Sequence, residues 1–171
     1  MTELTHLTKI ESELLNILSQ VRKEWYIDKT LKGDKNWTYR IKQLISGLGE
    51  TYGYQVCTSG FDGYSREWLY DLVWFKSNAE NSLQTVPLVM ECEWNRNFKE
   101  IKYDFEKLLL SNSDYRLMIC QTNTNNLFEL KSYFKNAVQG YELLKQGDRF
   151  LVAILDDLIS GDFHFELIVK E

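Results

Sequence analysis

An α/β fold, with a mixed central sheet flanked by helices, is predicted from three features of the 171-residue sequence. Apolar residues recur at helical spacing in some stretches and in short, near-continuous runs in others, in the order α-α-β-β-β-α-β-α-β-β. Three strand-like runs in a row imply an antiparallel meander. The strand-helix-strand step that follows implies a parallel crossover. The length suits a single domain over residues 1–171, and a composition of 44% hydrophobic and 26% charged residues belongs to a chain that can bury a core.

Each element has its own signal. Leu7, Ile10, Leu14, Leu15, Leu18 and Val21 fall at helical spacing and predict a helix over residues 5–22, and the polar stretch 26–36, with Gly33, reads as a loop. Tyr39, Ile41, Leu44, Ile45 and Leu48 predict a second helix, from Trp37 to about Tyr52, which Gly53 ends. "YGYQVCTSG" reads as a first strand over Tyr54–Thr58, with Gly60 and Gly63 in a turn. "EWLYDLVWFK" reads as a second strand over Trp68–Phe75, and "VPLVMECEW" as a third. Phe98, Ile101, Phe105, Leu108 and Leu109 define one face of a helix over Phe98–Leu110. "YRLMICQT" is a fourth strand. A helix follows from an N-cap at Thr124 or Asn125 to about Lys145. "RFLVAILDD" and "FHFELIVK" are the last strands, joined by a turn at Ser160-Gly161-Asp162, with Asp156 and Asp157 expected to face water.

The same letters narrow the classes of function. The N-terminus lacks a basic start followed by an apolar stretch, and no apolar run approaches the roughly 18 residues that span a bilayer. Cys57, Cys92 and Cys120 are few, far apart and set in apolar stretches, and His6 and His164 are the only histidines. These counts argue against a zinc site or a disulfide framework and suit a cytoplasmic protein. A net charge of −5 disfavours binding nucleic acid through the whole surface. Charge is uneven, however. Lys29, Lys32, Lys35, Arg40 and Lys42 form a basic stretch, and Arg96, Lys99 and Lys102 form a second one.

The chemistry is concentrated in "LVMECEW". Residues i and i+2 share a strand face with Cα atoms roughly 7 Å apart, so Glu91 and Glu93 lie side by side. If the strand holding Asp71 pairs with theirs, three carboxylates converge. Carboxylates crowded in this way raise one another's pKa, and a hard divalent cation such as Mg²⁺ or Mn²⁺ removes the conflict. Each residue also has a plain reading. Asp71 can pair with a Lys or Arg, Glu91 and Glu93 can form a solvated strand face, Lys107 can pair with Asp104 along a helix, and Glu50 can be a solvated helix end.

Asp71 in one strand, Glu91-x-Glu93 in the next, and the helix-three strands-helix-strand order over about residues 40–122 together resemble the PD-(D/E)xK nuclease superfamily, the restriction-endonuclease-like fold. The resemblance implies an α-β-β-β-α-β core with an N-terminal helix and a C-terminal α-β-β extension. It implies Asp71 and Glu91 as metal ligands, with Glu50 on the preceding helix as a further one. Glu93 stands where the family usually has lysine. Some members carry Glu-x-Glu there, and in others the lysine moves to the following helix, where Lys107 lies. Tyr70 replaces the proline that precedes the first acid.

The implied activity is phosphodiester hydrolysis with Mg²⁺ or Mn²⁺, by a restriction or defence endonuclease. Its catalytic residues would be Asp71, Glu91, Glu93 and Lys107. Its partner would be nucleic acid, DNA before RNA, held by Lys29, Lys32, Lys35, Arg40, Lys42, Arg96 and Lys99, and a homodimer is compatible with the class. The alternative is a nuclease-like domain that has lost catalysis and binds nucleic acid or protein. The missing lysine and the acidic net charge favour this alternative, and the retained acids favour the enzyme.

Overall fold

The computed structural model describes residues 6–27, 33–61, 63–156 and 161–171. Lys29, Lys32, Asp157 and Ser160 lie outside the described residues. Seven strands form one mixed sheet with four helices: α1 Lys9–Ile27, α2 Asp34–Thr51, β1 Gln55–Phe61, β2 Tyr64–Arg66, β3 Leu72–Ser77, β4 Leu83–Glu93, α3 Phe98–Leu109, β5 Tyr115–Thr122, α4 Thr124–Gly140, β6 Arg149–Asp156 and β7 Phe163–Val169. The strand order is β2-β1-β3-β4-β5-β6-β7. Neighbours are antiparallel from β2 to β4, parallel from β4 through β5 to β6, and antiparallel again at β7. The α/β class, the meander and the crossover therefore form as the periodicity predicts. No helix among the described residues is long and apolar enough to cross a membrane.

Both faces of the sheet are covered, which explains why its central strands read as apolar runs rather than alternating ones. Along β4, Leu88 and Met90 join Leu72, Trp74, Leu117 and Ile119 in a core closed by Leu14, Leu18, Ile41 and Ile45 of α1 and α2. Val89 points the other way, with Val73, Met118 and Val152, into a core closed by Phe105 and Leu108 of α3 and Phe134 of α4. Glu91 and Glu93 continue the side of β4 that carries Val89, so they face the α3 and α4 layer rather than a solvated strand surface.

The helix starts are locally encoded. In α1, Thr8 Oγ1 accepts from the Glu11 amide (3.2 Å) while Glu11 Oε2 accepts from the Thr8 amide (2.7 Å), a reciprocal capping box. Glu11 is buried and also takes two 2.7 Å bonds from Arg149. Burial pushes its carboxyl up, but the Arg149 and Thr8 bonds hold it below the usual range. In α3, the Asn97 side chain accepts from the Lys99 amide at 3.0 Å.

Several boundaries differ from the sequence reading. α1 runs to Ile27, five residues past its expected end. Gly60 sits inside β1 at a bulge with φ +102° instead of in the turn, and the short strand β2 completes a hairpin that the sequence reading left out. The second strand of the sequence reading begins only at Leu72. Trp68 and Leu69 are exposed, and the ladder starts where Leu72 pairs with Thr58 and Met90. Asp71 therefore precedes the strand, with its carbonyl accepting from Thr58 Oγ1 at 2.7 Å. α4 is capped at Asn123 and ends at Gly140. Asp156 does not face water. It is completely buried and accepts from Thr124 Oγ1 at 2.8 Å, which ties the start of α4 to the end of β6.

One close approach fixes α2 on the sheet. Trp74, fully buried, donates from Nε1 to the Ile45 carbonyl at 3.2 Å. A Cβ added at Gly49 would lie 2.5 Å from that same Nε1. The indole is enclosed and bonded, so it cannot swing aside. Gly49→Ala is expected to cost about 1–3 kcal/mol of stability, the usual range for overpacking a filled core. Urea unfolding of parent and variant measures this, and equal midpoints would mean that the helix and the indole separate freely.

Candidate functional site

The site lies at the carboxyl end of β4, beside the place where antiparallel pairing with β3 gives way to parallel pairing with β5. In α/β sheets the carboxyl ends of parallel strands are where ligands usually bind. Leu72 pairs with Met90. Continuing that register by one residue sets Asp71 opposite Glu91 on the same face, the arrangement in which Cβ atoms are roughly 5 Å apart. Asp71 Oδ2 accepts from the Cys92 amide at 2.8 Å, which locks the carboxylate to the β4 backbone.

Glu91 is 2% exposed. Its Oε1 is enclosed and lies 2.5 Å from the Lys107 ammonium. Burial pushes the Glu91 carboxyl up to about 8. Lys107 opposes that shift, and the Asp71 charge adds to it. Lys107 also meets Asp104 at 3.2 Å, one helical turn away. Burial lowers the Lys107 pKa, but Glu91 and Asp104 together hold it above its ordinary value. Lys107 therefore pairs along its helix and also reaches the strand acid. Glu93 is half-buried and accepts from the Asn95 amide at 2.6 Å. Burial, with the Asp104 and Glu100 charges, raises its pKa.

A second lysine enters from the opposite helix layer. Lys42 of α2 is 5% exposed, and its ammonium lies 2.5 Å from Glu67 Oε1 and 3.3 Å from Asp71 Oδ1. Glu67 Oε1 also accepts from Ser59 Oγ at 2.7 Å. Burial works against the charged amine, but the two carboxylates keep the Lys42 pKa above its ordinary value. The structure thus brings together Asp71, Glu91, Glu93 and Lys107, and adds Lys42, Glu67 and Asp104. Glu67 escaped the sequence reading, which gave Lys42 to phosphate contacts and Asp104 to a helix pair with Lys107. Lys42 carried a signal: Thr38, Lys42, Ile45 and Gly49 recur at four, three and four residues, which is the stripe a helix buries.

Other sequence-predicted residues are placed elsewhere. Glu50 sits eight residues beyond Lys42 on α2, about 12 Å along the helix, and accepts from the Tyr64 hydroxyl. Lys42 is corrected from a phosphate-binding surface residue to a buried ion-pair partner, because two carboxylates draw it inward. Arg40 is held by Glu24 at 2.8 and 2.9 Å. Lys35, Arg96 and Lys99 are exposed, and so is Lys102, which pairs with Glu106 at 3.6 Å.

Hard carboxylate oxygens suit Mg²⁺ or Mn²⁺, but the enclosed Glu91 Oε1 already faces the Lys107 ammonium, which an ion would have to displace. Among the described residues no group of three or more His, Cys, Asp or Glu side chains is gathered tightly enough to hold an ion. Two carboxylates remain a suitable set for Mg²⁺, which keeps several of its waters. Compared with family models, curated proteins and solved structures, the chain finds no match in any of the three.

The buried acid makes stability depend on pH in a definite direction. Glu91 has a folded pKa of about 8, above its ordinary 4.5. Between those values the folded chain holds a proton that the unfolded chain has released, so stability falls as pH rises through the window. Glu93 is shifted the same way and contributes with the same sign. Urea midpoints at pH 5 and pH 8.5 should show the parent losing stability, with Glu91→Gln losing less by a few kcal/mol, because each pKa unit is worth about 1.4 kcal/mol. Equal slopes in the two proteins would mean that Glu91 is charged and solvated throughout.

Proposed function

We propose that the chain is a metal-dependent nuclease of the PD-(D/E)xK type that hydrolyses phosphodiester bonds in DNA. The observation that carries this reading is the convergence of Asp71, just before β3, with Glu91 of the adjacent β4, and Lys107 against Glu91 at 2.5 Å. The order of α2, β1, β3, β4, α3 and β5 supports it, with β2 as an insertion. Asp71 and Glu91 would hold Mg²⁺ or Mn²⁺, and the ion would supply positive charge against the phosphate and make water easier to deprotonate.

The chain's own groups would do the rest. The Cys92 amide orients Asp71 through the 2.8 Å bond. Lys107 is placed to hold the attacking water and a phosphate oxygen, a role for which its raised pKa keeps it protonated. Glu93 lies on the same face of β4, and its raised pKa brings it closer to the operating pH, as a proton acceptor needs. Of the cations expected to meet phosphates, Lys35 and Lys99 are exposed.

The second reading is a nuclease-like binding module without catalysis. It is favoured by one observation, the Lys42–Asp71 ion pair, which is the structural use of Asp71 that needs no metal. An assay of plasmid and oligonucleotide cleavage with Mg²⁺, with Mn²⁺ and with chelator separates the two. The nuclease reading expects cleavage that chelator abolishes and that Asp71→Asn or Glu91→Gln lowers at least a hundredfold in well-folded protein. Binding without cleavage under all three conditions would leave the module.

The exposed cations give an independent check on the partner. Lys35→Glu combined with Lys99→Glu should weaken DNA binding and reduce the slope of log K against log salt by about two, since each lost phosphate contact releases roughly one counterion fewer. A slope equal to the parent's would place the binding surface elsewhere.

A further inference from the structure

We infer that β7 is a docking edge for a second copy of the chain, and that two molecules pair their β7 strands antiparallel about a two-fold axis at Phe165. The inference is independent of the nuclease reading and of any metal ion.

β7 closes one side of the sheet, and among the described residues β6 is its only strand neighbour. Which backbone groups it leaves open follows from the two ends of the ladder. The Lys170 amide donates to the Asp148 carbonyl at 2.9 Å, and the Asp156 amide donates to the Asp162 carbonyl at 3.4 Å. Both bonds continue the one unbroken register that runs from Arg149 opposite Val169 to Leu155 opposite Phe163. Residues of an antiparallel strand turn their N–H and C=O groups to alternate sides. His164, Glu166 and Ile168 therefore bond to β6, while Phe163, Phe165, Leu167 and Val169 turn theirs outward. The Val169 carbonyl agrees, because it accepts from Gln139 Nε2 at 2.8 Å. Phe163, Phe165 and Leu167 are left with the donors and acceptors of the edge. All three are half-buried, and α1 and α4 flank the strand on its two faces.

Sheet edges are usually blunted by lysine, proline, a bulge or short length. The opposite edge, β2, has three residues and a register shift against β1. β7 has seven residues, no lysine, proline or glycine among them, and pairs with β6 without a bulge. Its one carboxylate, Glu166, meets Lys131 of α4 through Oε1 at 2.9 Å, so its charge is balanced and does not repel a partner strand. The strand is also self-complementary in one register. An axis at Phe165 sets that residue opposite its own copy and Phe163 opposite Leu167, so the outward groups of all three residues are exchanged. His164 then faces Glu166, an imidazole against a carboxylate, in the pairs where Cα atoms approach to about 4.5 Å. An axis at His164 would set Glu166 against Asp162, and an axis at Glu166 would set it against itself, two carboxylates in either case. An axis at Leu167 would need the Val169 carbonyl that Gln139 holds, and an axis at Phe163 would leave Leu167 unmatched within the strand. The contact at Phe165 is isologous, with the same strand on both sides, and it joins two seven-stranded sheets into one.

The test is sedimentation velocity of the intact protein over a range of concentrations, with amide hydrogen exchange read residue by residue by NMR. The expected result is a particle of twice the chain mass at high concentration that dissociates on dilution. The amides of Phe163, Phe165 and Leu167 should exchange slowly in the dimer and fast after dilution, while those of His164, Glu166 and Ile168 stay slow throughout. Leu167→Pro removes an outward N–H that β6 does not use, as an edge strand tolerates. It should weaken the dimer by at least about tenfold, because two hydrogen bonds are lost per dimer. A chain that stays monomeric at every concentration would overturn the inference and leave the edge to a strand of another protein. A dimer whose three outward amides exchange fast, or a folded Leu167→Pro that dimerises as tightly as the parent, would overturn it by placing the contact on another surface. Slow exchange of those amides in the monomer would overturn it by showing that the chain covers its own edge. If Leu167→Pro does not fold, the three amides of the parent decide: protection that appears with concentration supports the inference, and protection that does not refutes it.

Discussion

The antiparallel register of β3 on β4 is the constraint on which the site depends. With Leu72 opposite Met90, Asp71 must fall beside Glu91, and the Cys92 amide is then available to hold it. A slip of one residue would turn Glu91 toward the apolar core that Leu88 and Met90 share with α1 and α2. That core therefore does more than stabilise the sheet. By burying Leu72, Trp74, Leu88 and Met90 on one face, it fixes which acids emerge together on the other. The close contact of Gly49 with Trp74 belongs to the same requirement, because it seats α2, and with it Lys42, at a set height over β3.

The electrostatics follow from that placement. Carboxylates brought out of water must be neutralised by protons, by amines or by a metal. In this chain all three means bear on the same cluster. Burial drives Glu91 toward its protonated form, while Lys107 and Lys42 supply amines. A site arranged to hold a divalent ion and a protein held together by buried ion pairs use the same residues here. The two readings of function therefore differ in what the ammonium groups do when an ion arrives, not in where the acids lie.

Much of this was legible in the sequence. The apolar runs "LVMECEW" and "YRLMICQT" are buried on both faces and could be read as central strands from their letters alone. Glu91 and Glu93 stood out because they interrupt such a run. Helical spacing made the Asp104–Lys107 pair legible, whereas Lys107 as a site residue was implied only by the family resemblance. The start of β3 was not legible, since Trp68 and Leu69 look like strand residues and only the ladder partners of Leu72 reveal that they are outside. Lys42 was read as surface charge because a basic stretch usually is solvated. Its burial depends on Glu67 and Asp71, which reach it only through the fold. Glu50 lies on the helix before the first strand, as read, and its carboxylate accepts from Tyr64, a partner that only the fold brings to it.

The most direct test is a crystal of the protein soaked in MnCl₂, with anomalous scattering recorded at a wavelength where manganese contributes strongly. The account expects a single peak within about 2.0–2.2 Å of one oxygen each from Asp71 and Glu91, with Lys42 still on Glu67. A map without that peak, in which Lys42 and Lys107 keep their present partners at saturating Mn²⁺, would contradict it and leave the acids as members of a structural ion-pair network.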